Sequence, residues 1–356
     1  MENLPPARKD SPQDWAATQN RLGDVLMDRA RASEGEDQVR LCDEAAQACR
    51  AALQVYTRED FPRQWAEAQL HLGKVLIEQA LILGGQMDSY LHDEAVHACR
   101  AALQVYIRED FPQQWAESQI NLGKALINQS GVSAEEHLRL CGEAVQASRA
   151  ALQVHTRENF PKQWAETQIA VAKALEWQAL ACELEEDVVC DYEERARLFG
   201  EAVKTWRTIL EVFTRRDYPL LWAETQNNLA EALCDQAFAI KGGDYWRQCD
   251  ESAQACREAV QACRSALEVF TRKDFPVDWA ETHNNLARAL RDQAEASDVQ
   301  KRIPLLKEAI ACYEASLEVY TKEHFRDDHR ITRDNLWDTR NMLAEAENKT
   351  TPCADK

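Results

Sequence analysis

Glycine and proline are scarce in this sequence, with 11 and 10 copies among 356 residues. A protein of many short strands needs more of both, because the turns between strands favour these two residues. Alanine, leucine, glutamine, glutamate and arginine are abundant instead, and all of them favour helices. With 45% apolar residues, the chain can also bury a large core. The composition therefore predicts an all-α protein.

Long apolar runs and an excess of positive charge are also missing. Nowhere do eighteen apolar residues follow one another, and the first fifteen residues contain no apolar segment like that of a secretory signal. We therefore expect no membrane span and a cytoplasmic location. The formal net charge is −19, and such an acidic surface repels a phosphate backbone, so nucleic acid is not an expected partner.

Cysteine, by contrast, occurs twelve times. A chain with ample core has no need of disulfides, so we expect reduced, buried thiols. Cys249, Cys256 and Cys263 are spaced by seven residues, which on a helix is two turns or about 10 Å, too far for a shared zinc ion. Cys182 and Cys190 flank an acidic turn, and we interpret them as unrelated thiols rather than a redox pair.

Signatures of catalysis are absent. The eight histidines are scattered, without an HExxH pair, and the sequence has neither a glycine-rich phosphate loop nor a nucleophile elbow. We expect no catalytic residue, no metal site and no cofactor, and hence not an enzyme.

What the sequence has is a repeat. The dipeptide Trp-Ala occurs six times, and an apolar residue, leucine or valine, follows seven residues after each tryptophan. The tryptophans are Trp15, Trp65, Trp115, Trp164, Trp222 and Trp279. A recurrence every 49 to 58 residues indicates an array of stacked supersecondary units rather than one globular core.

Each period divides into two predicted helices, A and B. Helix A begins at a proline, which suits a first helical turn because the N–H that proline lacks is unpaired there. These prolines are Pro12, Pro62, Pro112, Pro161, Pro219 and Pro276. Helix B is expected to end in a basic residue that complements the negative end of the helix dipole. These residues are Arg58, Arg108, Arg157, Arg216, Arg272 and Lys322.

The expected domain organisation is a single solenoid over residues 12–348, with repeats starting near 12, 62, 112, 161, 219 and 276. Its last helix, 327–348, carries His329 where tryptophan is expected, and we interpret it as a polar cap on the final hairpin. Residues 1–11 are predicted to form an N-terminal tail, and residues 349–356 a disordered one.

The pattern Gln69-x-x-Leu72-Gly73-x-x-Leu76, followed by Ala95, Cys99 and Ala102, resembles the tetratricopeptide repeat (TPR). The period here is about 50 residues instead of 34, a form that resembles repeats of bacterial proteins found with CHAT (caspase-like) domains. The resemblance implies an α-solenoid wound as a right-handed superhelix, with six helical hairpins and a C-terminal capping helix. It also implies binding of another protein through the concave wall of the A helices.

Two features of helix A are candidates for function. The tryptophans, at identical positions in an apolar stripe, are interpreted as core residues that wedge between hairpins. The face that this packing leaves free forms columns of aliphatic, lysine and glutamate side chains in the middle repeats. The candidate partner-binding residues are Glu67, Leu70, Lys74, Ile77, Glu117, Ile120, Lys124, Ile127, Asn128, Glu166, Ile169, Lys173 and Trp177.

Two interpretations of these columns remain open. In one, the lysines and glutamates form weak ion pairs between repeats, and the aliphatic residues complete the core. In the other, the columns form an apolar trough with charged edges that binds a helix or an extended peptide of a partner. At the outer repeats the aliphatic position becomes Asn20, Asn227 and Asn284.

The expected function is a non-catalytic adaptor or scaffold that recognises a protein or peptide. It would act as a regulatory subunit of an effector such as a protease. The alternative is a self-assembly module that forms homo-oligomers through the solenoid ends. An RNA-binding repeat ranks last, because the alternating lysine and glutamate columns give no net positive field.

Overall fold

The computed structural model describes residues 11–33, 35–83, 89–129, 133–182, 192–241 and 245–350, and these residues form thirteen α-helices without a strand. The chain divides into two compact units, unit 1 (Met1–Val188) and unit 2 (Val189–Lys356). The prediction of an all-α fold is confirmed. The prediction of one continuous solenoid over residues 12–348 stays a prediction.

Unit 1 contains seven helices. In chain order they are α1 (Pro12–Arg31), α2 (Gly35–Leu53), α3 (Pro62–Leu83), α4 (Ser89–Ala102), α5 (Pro112–Ile127), α6 (Ala134–Ala151) and α7 (Pro161–Ala181). Unit 2 contains six, which are α8 (Tyr192–Ile209), α9 (Pro219–Lys241), α10 (Tyr245–Ala266), α11 (Pro276–Glu295), α12 (Val299–Leu317) and α13 (Arg326–Thr350). The odd-numbered helices up to α11 are the A helices, and the even-numbered ones are the B helices.

Within each unit, every helix packs against the next one in the chain, and each A helix also contacts the following A helix. This is the contact pattern of stacked helical hairpins, an α-solenoid architecture. Repeat five contains the longest such pair, α9 and α10, as the longer spacing of the sequence there predicts. Residues 1–10 of the predicted N-terminal tail and residues 351–356 of the predicted C-terminal tail lie outside the described residues, and α13 continues to Thr350.

The turn between a B helix and the next A helix repeats one backbone hydrogen bond, and Thr57, Thr214 and Thr271 add a side-chain pair with an aspartate. Thr57 Oγ1 accepts from the Asp60 amide at 3.1 Å and donates to Asp60 Oδ2 at 2.9 Å. The Phe61 amide donates to the Thr57 carbonyl at 2.9 Å, and the ring of Phe61 meets Tyr56 edge-on at 5.8 Å between centroids. This turn ends at Phe61, directly before Pro62, where α3 begins. The five residues before each proline therefore determine where helix A starts.

The basic residues near the end of helix B do not lie where the sequence analysis placed them. The B helices end five to seven residues earlier, whereas a helix dipole acts only within the last turn. Instead, Arg108 lies over the ring of Trp115 at 6.0 Å, and Arg157 over Trp164 at 5.5 Å. In the fourth repeat Arg215, not the predicted Arg216, takes this position.

Five of the six repeated tryptophans pack against core clusters of the hairpins, namely Trp15, Trp65, Trp115, Trp222 and Trp279. Trp65 contacts the core cluster of Ala16, Ala52 and Tyr56, and it also contacts the next cluster, which contains Ala66. All six rings are partly buried rather than fully enclosed. The prediction that the tryptophans wedge between hairpins is confirmed at Trp65, Trp115 and Trp279, each of which contacts the core cluster of the preceding hairpin.

Glycine is required in three A helices by the B helix opposite. A Cβ atom on Gly73 would lie 2.8 Å from Cys99 Sγ, and one on Gly23 would lie 2.8 Å from Cys49 Sγ. Gly123 meets Ser148 in the same way. Cys49 and Cys99 are fully buried, and burial raises the pKa of each thiol to about 12, which keeps it protonated and unreactive.

The prediction of buried free thiols is confirmed at eight described cysteines, namely Cys42, Cys49, Cys99, Cys141, Cys234, Cys256, Cys263 and Cys312. Cys182 is the exception, since it is disulfide-bonded, and the interpretation of Cys182 as an unrelated thiol is wrong. Cys190 lies outside the described residues.

We expect Trp115→Ala to lower the free energy of unfolding by about 3 kcal/mol, because it empties a junction between two hairpins. Trp177→Ala is the matched control. That ring is 40% exposed and meets His137 edge-on, so its loss should cost less than about 1 kcal/mol. Urea unfolding followed by circular dichroism measures both, and equal losses would contradict a special role for the repeated tryptophan.

We expect Gly73→Ala to destabilise the protein by about 1–2 kcal/mol, because the clash with Cys99 outweighs the better helix propensity of alanine. Cys99→Ala should cost stability alone but less in the Gly73→Ala background, since it removes the clashing sulfur. A double-mutant cycle of unfolding free energies tests this, and additive effects would show that the two side chains do not compete for space.

Candidate functional site

A cavity of about 580 Å³ lies along the A helices of unit 1, and we call it the unit-1 cavity. Its lining comes from α3, α5 and α7, from Arg31 at the end of α1, and from His155 before α7. Nine of the thirteen candidate residues line it, which are Lys74, Ile77, Glu117, Ile120, Lys124, Ile127, Glu166, Ile169 and Lys173. Their role in binding a partner stays a prediction.

The expected exposed aliphatic column does not include Leu70. That side chain is 3% exposed and belongs to the core cluster of Ala66, Ala102 and Tyr106, so it packs between α3 and the end of α4. At the same position of the following repeats, Ile120 and Ile169 are partly exposed and line the cavity. The aliphatic column is therefore exposed only at α5 and α7, and not at α3.

Three other candidates lie outside the cavity lining. Asn128 caps α5 through a hydrogen bond from its Nδ2 to the Lys124 carbonyl at 2.8 Å. Trp177 packs edge-on against His137 of α6 at 6.4 Å between centroids. Glu67 is exposed near the start of α3.

The floor of the cavity is aliphatic. Ile77 is 4% exposed and Ile127 is 7% exposed, so both belong to the packed interior and show only a small surface to the cavity. Ile120 and Ile169 show more of their side chains. A ligand therefore meets apolar surface mainly at these last two residues.

The wall also contains a buried histidine that the sequence analysis did not single out. His155 is 7% exposed, and burial lowers its pKa, so the ring is neutral at pH 7. Thr167 Oγ1 donates to the Gln163 carbonyl at 2.7 Å and accepts from His155 Nδ1 at 2.8 Å. The side-chain amide oxygen of Gln113, Oε1, lies 3.1 Å from His155 Nε2.

A signal for His155 was present in the sequence. The other repeats have an aromatic ring at this position, as in Tyr106 and Phe213. The tyrosine hydroxyl of Tyr106 donates to a backbone carbonyl, that of Arg63, whereas His155 binds side chains. The substitution therefore adds polar groups to one wall of the cavity.

In the described part of the chain, some charged residues of the cavity form ion pairs, and one lysine does not. Lys74 on α3 forms an ion pair with Glu117 on α5, and Arg31 lies 3.4 Å from Glu78. One repeat later, Glu166 pairs with Lys162 of its own helix at 3.7 Å. Among the described residues, Lys124 Nζ has no carboxylate within 4.0 Å.

The A helices of unit 2 are polar where those of unit 1 line a cavity. Asn227 donates to Glu281 at 3.1 Å and accepts from Asn285 at 3.1 Å. Arg288 forms an ion pair with Asp235, and neighbouring charges raise its pKa against the effect of burial. The A helices of unit 2 thus bind one another through side-chain hydrogen bonds.

Among known proteins, solved structures alone show similarity to this chain, each at low sequence identity. No family model matches the chain, and no curated protein matches it. A designed circular tandem repeat protein is 16% identical, with 96% of this chain and 82% of that chain covered and a TM-score of 0.41. Yeast Tom70 is 13% identical over 99% of this chain and 69% of its own, with a TM-score of 0.26.

Across the described part of the chain, no three histidine, cysteine or acidic side chains cluster as metal ligands. None of the described helices combines the length and apolar character needed to cross a bilayer.

Proposed function

We propose that the chain is a non-catalytic protein-interaction scaffold, a right-handed TPR-like solenoid of six hairpins and a capping helix. In this proposal a segment of a partner protein binds in the unit-1 cavity. The observation that supports it is the combination of partly exposed isoleucines with charged and amide side chains around one cavity of about 580 Å³. Binding pockets of proteins have volumes of this order and similar mixed linings.

The extent of the cavity favours an extended segment. It is lined by three successive A helices, and packed helices lie roughly 8–10 Å apart, so the lining spans on the order of 20 Å. An extended chain covers about 3.3 Å per residue, and roughly six residues would cross the cavity.

The lining chemistry favours binding over covalent catalysis. Among the residues that the structure describes, no serine, threonine or cysteine lines the cavity, and the imidazole of His155 already contacts Thr167 and Gln113. By the resemblance to repeats found with CHAT proteins, we propose that the partner is an effector such as a protease, which the scaffold recruits or regulates.

The test replaces both partly exposed isoleucines, as Ile120→Asp with Ile169→Asp. The matched control is Ile107→Asp, which places the same charge at a 44% exposed isoleucine that does not line the cavity. We expect affinity purification from the native host to enrich the same partners with the unmodified protein and the control, and to lose them with the double variant.

Circular dichroism must show the helical signal of the double variant unchanged. A double variant that keeps every partner would contradict a role for the cavity. One that unfolds would assign both isoleucines to the core, and this part of the proposal would be wrong.

A second candidate function, self-assembly through the ends of the chain, has its own observation. Leu22 and Val25, three residues apart on α1, are 41% and 55% exposed, and Trp337 on α13 is 65% exposed. Exposed apolar groups of this kind occur at contacts between subunits.

We expect light scattering to give the mass of a monomer, about 40.6 kDa, at micromolar concentrations if the protein is an adaptor. A mass that grows with concentration, and that returns to the monomer in Val25→Asp or Trp337→Ala, would favour self-assembly instead.

A further inference from the structure

The unit-1 cavity contains one lysine–glutamate ion pair between A helices whose counterpart in the next repeat is not formed. Lys74 and Lys124 occupy equivalent places on α3 and α5, and so do Glu117 and Glu166 on α5 and α7. The first lysine contacts the first glutamate across the helices, but Lys124 does not reach Glu166. One step of the series is therefore unpaired among the described residues.

The cause lies one turn before each glutamate. Glu117 is preceded at i−4 by Gln113, which is uncharged, so it is available to Lys74. Glu166 is preceded at i−4 by Lys162, which holds it at 3.7 Å on the same helix. A glutamine-to-lysine difference between two repeats thus leaves Lys124 without a carboxylate.

The cavity as a whole has the corresponding imbalance. Its charged lining consists of four cationic residues, Arg31, Lys74, Lys124 and Lys173, and three carboxylates, Glu78, Glu117 and Glu166. This gives a local excess of one positive charge in a protein whose formal net charge is −19. A ligand with one carboxylate restores the balance.

We propose that the segment bound in the unit-1 cavity carries an internal aspartate or glutamate, which pairs with Lys124, between aliphatic side chains that pack on Ile120 and Ile169. This inference rests on the proposed function and names the chemistry of the partner. The carboxylate is internal because Lys124 lies on α5, the middle one of the three helices, so a segment crossing the cavity continues on both sides of it, toward α3 and toward α7.

The experiment uses the full chain and a set of fluorescein-labelled octapeptides, acetylated and amidated, with leucine or isoleucine on both sides of a central glutamate. A matched set has central glutamine, and a third set ends at the glutamate with a free carboxylate. Fluorescence anisotropy gives each dissociation constant. We expect central glutamate to bind about tenfold tighter than central glutamine, which is what one charge-assisted hydrogen bond contributes.

The variant is Lys124→Gln, and the control is Arg139→Gln, which removes an exposed charge paired with Glu136 on α6. We expect the preference for glutamate over glutamine to disappear in Lys124→Gln and to persist in the control. Lys124→Gln must still bind the glutamine set about as tightly as the unmodified protein does, and this distinguishes the lost preference from a loss of folding.

Every other outcome contradicts a specific part of the proposal. Equal affinity for the glutamate and glutamine sets, or a preference that survives Lys124→Gln, overturns the acidic partner but leaves peptide binding in the cavity intact. Tighter binding of the set with a free carboxylate overturns the internal position. No binding by any set overturns the proposed function together with this inference.

Discussion

The structure depends on the contact that each tryptophan makes at the start of an A helix. Trp65 packs on Ala52 and Tyr56 of the preceding hairpin and on the cluster around Ala66 of its own, so one side chain belongs to two cores. Stacked hairpins have no common centre, and each must bury its apolar face against a neighbour. A ring that contacts both sides makes this burial continuous. The alanine that follows is fully buried because the neighbouring helix needs to approach closely.

Because the hairpins are joined in this way, the remaining face of each A helix is free to differ between repeats. In unit 1 it presents Ile120 and Ile169 to a cavity. In unit 2 the equivalent position is Asn227, which bonds to Glu281 and Asn285 on the next A helix. An aliphatic side chain at this position has no polar partner and leaves surface for a ligand, whereas an asparagine is satisfied by its neighbours. The same arrangement of helices therefore lines a cavity in one unit and forms hydrogen bonds between A helices in the other.

The sequence predicts what depends on spacing and misses what depends on local geometry. Proline followed by the Trp-Ala pair predicts where α3 and the other A helices begin, because both the proline and the aromatic act within one turn. Leu70 and Ile120 hold the same position, yet only the structure shows that Leu70 packs against Tyr106 while Ile120 stays partly exposed. Arg108 follows helix α4 closely in sequence, but the helix ends at Ala102 and the guanidinium reaches the next tryptophan. The disulfide at Cys182 has no counterpart in the repeat pattern.

The charges of the cavity show how one position of a repeat array comes to differ from the equivalent position in the next repeat. A regular series of lysine and glutamate columns pairs every charge with a neighbour, and such pairs contribute little to stability because both partners are partly solvated. Substituting one of these charged residues therefore lowers the stability of the fold only a little. Lys162 stands where the preceding repeat has the uncharged Gln113, and it forms an ion pair with Glu166 on its own helix. Glu166 then does not pair with Lys124 on the preceding A helix, in contrast to Glu117, which pairs with Lys74. Specificity in such a scaffold follows from a departure between repeats, since identical repeats would offer a ligand several equivalent positions and no preferred register.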